Sequence, residues 1–150
     1  MEPTATEAVW VGASPTDLAL ACTKAARALL AGPPGPWAFI KLSGVTSLAP
    51  LTAGLRQALE RLQGLPVLLA AGSDAEAWLE ERITGDPVGP RGVLTLLDLG
   101  EATGEDLPQW ANYVGRFVVV GRRLETSRLE LIGLKRFLPP AQVPGFLLVG

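Results

Sequence analysis

The chain has 150 residues, of which 48% are hydrophobic and 19% charged, and its formal net charge is −2. These values fit a single globular domain and exclude a disordered chain. The basic residues form no Lys/Arg run, so neither a clustered basic face for nucleic acid nor attraction to an anionic membrane is expected. The absence of histidine excludes Ser-His-Asp and Cys-His catalysis and removes the commonest zinc ligand.

Cys22 is the only cysteine, so an intrachain disulfide is impossible. It lies among alanines and leucines, where we expect a buried and unreactive thiol. No apolar run reaches the ~20 residues that cross a bilayer, and residues 1–4 lack the features of a signal peptide. The sequence therefore predicts a soluble, cytoplasmic protein without membrane contact.

The predicted elements alternate between strands and helices along the whole chain. The first are a strand at 7–12 and a helix at 14–31, with Ser14 as N-cap, Pro15 at the first helical position and Asp17 near the positive end of the helix dipole. Later strands are expected at 37–42, 66–71, 93–99, 117–121 and 146–149, and later helices at 47–63, 73–83, 103–112 and 127–138. Capping boxes are predicted at 73–76 and 127–130, and the longest loop at 84–92.

The predicted strands are continuously apolar, which is typical of parallel strands covered on both faces. Alternation of strands with helices indicates right-handed crossovers. We therefore expect one α/β domain over residues 1–150. Its fold would be a three-layer sandwich of about five to six mostly parallel strands and about five helices, Rossmann-like or like a degenerate P-loop domain.

Candidate ligand-binding residues lie where the strands end. In open α/β sheets, ligands bind beyond the carboxyl ends of the strands, near a point where the strand order reverses. Glycine turns with polar or charged residues occupy those ends in this sequence. The candidates are Ser14, Thr16, Ser43, Ser73, Asp98, Glu101 and Arg122. No catalytic residue, metal ligand or cofactor is predicted.

The turn after the first strand has the position of a phosphate-binding loop, and a helix N-terminus there suits an anion. It lacks the pattern G-x-x-x-x-G-K-[ST], and Lys24 lies too far along the helix to serve as the lysine of that pattern. Asp17 would also repel a phosphate. A capped helix start is therefore the favoured interpretation.

Asp98 allows two interpretations. With Glu101, Glu105 and Asp106 it forms an acidic group suited to a hard cation. In the favoured alternative, Asp98 caps a turn and the other acids interact with the dipole of the next helix. Arg122 suits a phosphate or a carboxylate, and a surface pairing with Glu125 is equally natural.

Two segments resemble known families. The first strand, the Gly12-Ala13-Ser14 turn, the following helix and a later strand ending in Asp98 resemble a P-loop NTPase fold without its lysine. That resemblance implies a role in assembly or regulation without nucleotide hydrolysis. Residues 42–47, L-S-G-V-T-S, with the Leu-rich helix after them, resemble the core of anti-sigma-antagonist (STAS) domains, although the Asp-Ser phosphoacceptor pattern is missing.

The aromatic residues divide between core and surface. Trp10 and Trp37 lie within predicted strands and are expected in the core. Trp78 and Trp110 lie on helices among charged residues, where we expect partial exposure. An exposed tryptophan is a favoured interface anchor, and the apolar segment that begins at Phe146 must be buried by its own sheet or by a partner. Trp78, Trp110 and Phe146 are therefore the candidate interface residues.

The absence of the usual catalytic residues and motifs from the sequence determines the functional hypothesis. Without histidine, a phosphate loop or a cysteine pair, most catalytic constellations cannot form. We expect a non-catalytic interaction or regulatory domain, in the manner of a degenerate nucleotide-binding fold that works in a complex, with a protein partner or a second copy. The alternative is a small-molecule or nucleotide-binding domain, or an enzyme, with its site at the strand ends.

Overall fold

The fold follows the predicted alternation of strands and helices. The structure is a computed structural model that describes residues 8–12, 15–32, 36–84, 94–101, 106–122, 128–139, 142–143 and 145–149. The strands are β1 (Ala8–Gly12), β2 (Trp37–Lys41), β3 (Val67–Ala71), β4 (Leu94–Gly100), β5 (Arg116–Arg122) and β6 (Gly145–Val149). The helices are α1 (Pro15–Ala31), α2 (Ala49–Gln63), α3 (Ser73–Thr84), α4 (Leu107–Ala111) and α5 (Arg128–Lys135).

The six strands form one sheet in the order β1-β6-β5-β2-β4-β3. Every pairing is parallel. In the centre of the sheet, Phe39 pairs with Val118 of β5 on one side and with Asp98 of β4 on the other. The register on the β4 side shifts after Phe39. The predicted α/β class and parallel sheet are confirmed.

Helices cover both faces of the sheet, because side chains alternate across each strand. Phe39 packs in a cluster with residues of α1 and α2, while its neighbours Ala38 and Ile40 pack with residues of α3 and α4. Leu131 and Leu134 of α5 pack against that second cluster. The connections through α1 and α2 run across the sheet toward β3, and the connections through α3, α4 and α5 run back toward β6. Because all of these crossovers are right-handed, the two groups of helices lie on opposite faces. The predicted three-layer arrangement is confirmed.

The α1–α2 contact is close because small residues face each other. A Cβ on Gly54 would lie 3.1 Å from the sulfur of Cys22. Cys22 is 1% exposed, and its Sγ–H donates to the carbonyl of Leu51 at 3.8 Å. Burial raises the pKa of the Cys22 thiol from 9.0 to about 11. The predicted burial of the thiol is thus confirmed, and its lack of reactivity stays a prediction.

Local chemistry moves several helix boundaries from their predicted positions. α2 begins two residues late, at Ala49, whose N–H donates to the hydroxyl of Ser47. It ends at Gly64, which adopts a left-handed conformation with φ 70°. α4 begins at Leu107 with Pro108 in its first turn, and not at residue 103 as predicted.

Thr84 belongs to α3 rather than to the predicted loop, and its hydroxyl donates to the carbonyl of Glu80 at 2.8 Å. α5 ends at Lys135, three residues before its predicted end, and Phe137 closes a turn on the carbonyl of Leu134. The predicted cap at Ser14, the cap at Ser127 and most of the 84–92 loop lie outside the described residues. Within the described part of the chain, no helix is long and apolar enough to span a membrane.

Candidate functional site

The carboxyl end of β2 is a topological switch point. β2 lies between β5 and β4 in the sheet. The connection after β2 runs through α2 on one face, whereas those after β4 and β5 run through α4 and α5 on the other. In open α/β sheets, adjacent strands whose connections diverge in this way leave a crevice at their carboxyl ends. Ser43 and Arg122 lie at this position.

A carboxylate of the protein itself binds Ser43. The backbone N–H of Ser43 donates to Oε1 of Glu130 at 2.7 Å, and its hydroxyl donates to Oε2 at 2.5 Å. Glu130 lies in the first turn of α5, so this Ser43–Glu130 clasp joins the β2–α2 turn to the helix that follows β5. Hydrogen bonds to an ionised carboxylate are stronger than those between neutral groups.

Arg122 reaches the same turn from the end of β5. Its Nη1 donates to the carbonyl of Gly44 at 3.5 Å, and Gly44 has φ 89°. Ladder pairing extends past Lys41, because the N–H of Leu42 donates to the carbonyl of Val120 at 2.8 Å. Of the predicted site residues, the structure thus brings Ser43 and Arg122 to one place. Glu125, the alternative partner of Arg122, lies outside the described residues.

Asp98 caps a turn at the end of β4. Its Oδ1 accepts the N–H of Gly100 at 2.9 Å, and Gly100 has φ 60°. This is the favoured of the two interpretations of Asp98. Glu101 follows as an exposed residue, and Glu105 lies outside the described part. No group of three or more metal-ligating side chains occurs among the residues that the structure covers.

The remaining site candidates lie apart from this corner. Ser73 is the first residue of α3, at an edge of the sheet. The N–H of Glu76 donates to the carbonyl of Gly72, which has φ 57°. The first hydrogen bond of α3 is therefore a backbone bond. Thr16 lies in α1, but its side chain and the whole of Ser14 lie outside the description. The ligand-binding role of these three residues stays a prediction.

The tryptophans of α3 and α4 stack on each other. The ring centroids of Trp78 and Trp110 are 6.5 Å apart with planes at 9°, and the guanidinium of Arg82 lies 4.8 Å from the centroid of Trp78. Trp110 is 7% exposed, so its predicted partial exposure is wrong: α4 turns this side chain inward onto Trp78. Trp78 is half-buried, as predicted, and Trp37 is buried in the core. The side chain of Phe146, in β6, is not described, so its interface role stays a prediction.

The outer side of α5 and the turn after it expose apolar side chains and one arginine. Leu129 is 80% exposed, Ile132 is 45% exposed and Phe137, just after the helix, is 46% exposed. Arg136 is exposed between them. Residues 128–136, which form α5 and the first residue after it, contain three basic residues and one acidic residue, a local charge of +2 in a chain of net charge −2.

Sequence reasoning missed both the α5 surface and the role of Glu130. The basic residues of this segment are Arg128, Lys135 and Arg136, and the apolar residues between the first and the second of them leave no long Lys/Arg run. The sequence places Glu130 in a predicted capping box, and no local pattern indicates its contact with Ser43, 87 positions away.

Comparison with family models, with curated proteins and with solved structures finds no match to this chain. The P-loop and STAS resemblances therefore remain interpretations of short segments, and function has to be argued from the surfaces themselves.

Proposed function

We propose that this chain is a non-catalytic, regulatory protein-interaction domain that binds a protein partner through the outer face of α5. The observation that carries the proposal is the 80% exposure of Leu129 on a helix whose orientation the Ser43–Glu130 clasp holds. Leu131 and Leu134 use the inner face of the same helix to pack on the sheet. Leu129 and Ile132 lie three residues apart on the same side of the helix and are both exposed, and a contiguous exposed apolar patch is typical of an interaction site.

The corner at the end of β2 favours binding over catalysis. Both donor groups of Ser43 bond to Glu130, and the chain offers no histidine to act as a general base toward the serine hydroxyl. The proposal places the domain in the cytoplasm and includes neither nucleic acid nor a membrane as partner.

Site-specific photocrosslinking tests the proposal in the native cell. A benzophenone amino acid replaces Leu129, and the matched control carries it at Gln57, an exposed position of α2 on the opposite face of the sheet. We expect discrete crosslinked adducts from position 129 and none from position 57. Equal adducts from both positions, or none from position 129, would contradict the proposal.

A small-molecule site at the same corner is the second candidate function. One observation favours it: the Ser43 amide and hydroxyl already hold a carboxylate, with Arg122 bonded to the next residue. Nucleotides, as for a degenerate nucleotide-binding fold, are the first ligands to test by thermal shift with and without magnesium. A ligand present at 100 times its dissociation constant adds ~2.7 kcal/mol of stability. A melting temperature that no nucleotide changes would remove this candidate.

A further inference from the structure

Two oppositely charged helices share one face of the sheet. α3 and α5 both belong to the layer that also contains α4. α3 contains four acidic residues and one arginine, a local charge of −3, whereas residues 128–136, which form α5 and the first residue after it, contain three basic residues and one acidic residue, a local charge of +2. The chain therefore carries two complementary surfaces on the same side of the molecule.

The acidic surface of α3 faces solvent. Ala75 and Leu79 are buried against the sheet, and at 100° per residue the opposite side of the helix holds Asp74, Ala77 and Glu81. All three are exposed. We call this set the α3 surface, and Leu129, Ile132 and Arg136 the α5 surface.

We propose that the partner of the α5 surface is the α3 surface of a second copy of this chain, in a two-fold symmetric dimer; this inference rests on the proposed function. The two-fold axis lies on the outer surface of the helix layer, parallel to the helices and between α3 and α5. Rotation about it places each α5 over the α3 of the other copy. A closed dimer of this kind contains the same contact twice.

The direction of the helices determines which charged residues of the two copies lie opposite each other. α3 and α5 each follow a strand and so begin at the carboxyl edge of the parallel sheet. Rotation about an axis along the layer keeps the two helices parallel, so their last turns meet. Arg136, at the end of α5, then lies near Glu81, at the end of α3 of the other copy.

The centre of this dimer would cover the aromatic stack. Trp78 of α3 is half-buried and stacks on Trp110 of α4, with Arg82 over its ring. The Nε1 of Trp78 is buried and has no hydrogen-bond partner among the described residues. Tryptophan at the centre of an interface with charged pairs at its rim is the usual anatomy of a protein contact.

A second copy fits the α5 surface better than an anionic membrane. α5 has only 8 residues, and its inner face is already committed to the sheet through Leu131 and Leu134. Helices that lie in a membrane interface bury a long apolar face in the lipid. The α5 surface has only two exposed apolar side chains, Leu129 and Ile132, beside an exposed arginine, and an acidic surface is present on α3 of the same chain.

Sedimentation equilibrium of the intact chain and of charge-reversal variants tests the dimer. We expect the wild-type chain to dimerise, and Arg136→Glu and Glu81→Arg each to raise the dimer dissociation constant by about tenfold or more, since each places like charges opposite each other. An equimolar mixture of the two variants should dimerise like the wild type, because both contacts of that heterodimer pair opposite charges. Arg61→Glu, on exposed α2, is the matched control and should leave the constant unchanged.

A wild-type chain that stays monomeric at all concentrations would overturn the inference, as would Arg136→Glu dimerising as tightly as the wild type. The crosslinking experiment distinguishes failure of the dimer from failure of the proposed function. If the chain binds itself, position 129 gives adducts of twice the chain mass. Adducts of position 129 with a different protein would support the proposed function and contradict the dimer. Flotation with phosphatidylserine vesicles tests whether the α5 surface binds an anionic membrane instead. Vesicle binding by a monomeric wild-type chain that Arg136→Glu abolishes would also overturn the second copy as partner.

Discussion

Glu130 accepts two hydrogen bonds from Ser43, one from the backbone N–H at 2.7 Å and one from the hydroxyl at 2.5 Å. One carboxylate thus fixes the turn after β2 to the start of α5, at the point where the connections of the sheet diverge. The contact has no counterpart in local sequence patterns, and it anchors the first turn of the helix that exposes Leu129.

Removal of the carboxylate should loosen α5. We expect Glu130→Ala to lower the free energy of unfolding by about 1–2 kcal/mol, because two bonds to a charged acceptor are lost at a partly exposed site. Ser43→Ala should cost less, about 0.5–1 kcal/mol, because the backbone N–H still reaches the carboxylate. Urea unfolding measures both. Glu101→Ala, at the end of β4, is the control with no expected effect, and a loss in Glu130→Ala no greater than in that control would argue against the clasp.

The buried thiol of Cys22 should make stability depend on pH in the alkaline range. Its pKa is raised from 9.0 to about 11, so between these values the unfolded chain releases a proton that the folded chain keeps. The stabilisation is complete below pH 9 and is lost as the pH rises toward 11. We expect the wild type to lose more stability than Cys22→Ala between pH 8 and pH 11. Equal losses in the two proteins would show that other groups account for the dependence.

Gly54 and Cys22 should be energetically coupled. Alanine at position 54 gains about 1 kcal/mol of helix propensity over glycine, but its Cβ would lie 3.1 Å from the Cys22 sulfur. We expect Gly54→Ala to stabilise the Cys22→Ala protein by about 1 kcal/mol and the wild-type protein by clearly less. A double-mutant cycle from chemical denaturation measures the difference. Additive effects would mean that α1 and α2 do not approach as closely as described.

Trp110 should behave as a core residue and Leu129 as a surface residue. Trp110→Ala removes a 7% exposed ring and its stack on Trp78, so we expect a loss of about 3–5 kcal/mol. Leu129→Ala should change the free energy of unfolding of the monomer by less than about 0.5 kcal/mol. Thermal unfolding at low protein concentration compares them. Similar losses at both positions would place Leu129 inside the core and remove the basis of the α5 surface.

Much of the fold could be predicted because it depends on patterns that repeat locally. Continuous apolar segments such as β5 predict parallel strands, and the spacing of Leu51, Leu55 and Leu59 predicts the buried face of α2. Asp98 was placed correctly at a turn because an Asx turn involves only neighbouring residues. Each of these features is encoded within one element or one turn.

The site and the surfaces depend on contacts between distant parts of the chain, which no local pattern encodes. The sheet order brings Ser43 to Glu130, and the inward turn of α4 buries Trp110, although its neighbours Gln109 and Asn112 are polar. Leu129 is exposed because the opposite side of α5 packs on the sheet. Residues 131, 132 and 134 are also apolar, so the sequence alone does not indicate which side of the helix is buried.

The strand order also affects how the chain folds as it is synthesised. β1 pairs in the sheet with β6, joining Ala8 to Gly145. A ribosome adds about 5–20 residues per second, so the β1 segment emerges on the order of ten seconds before its strand partner exists. Until then its backbone N–H and C=O groups can be satisfied only by water or by a chaperone. Completion of this sheet therefore waits until β6 has been synthesised, and pairings of such long sequence separation are the slow ones in folding.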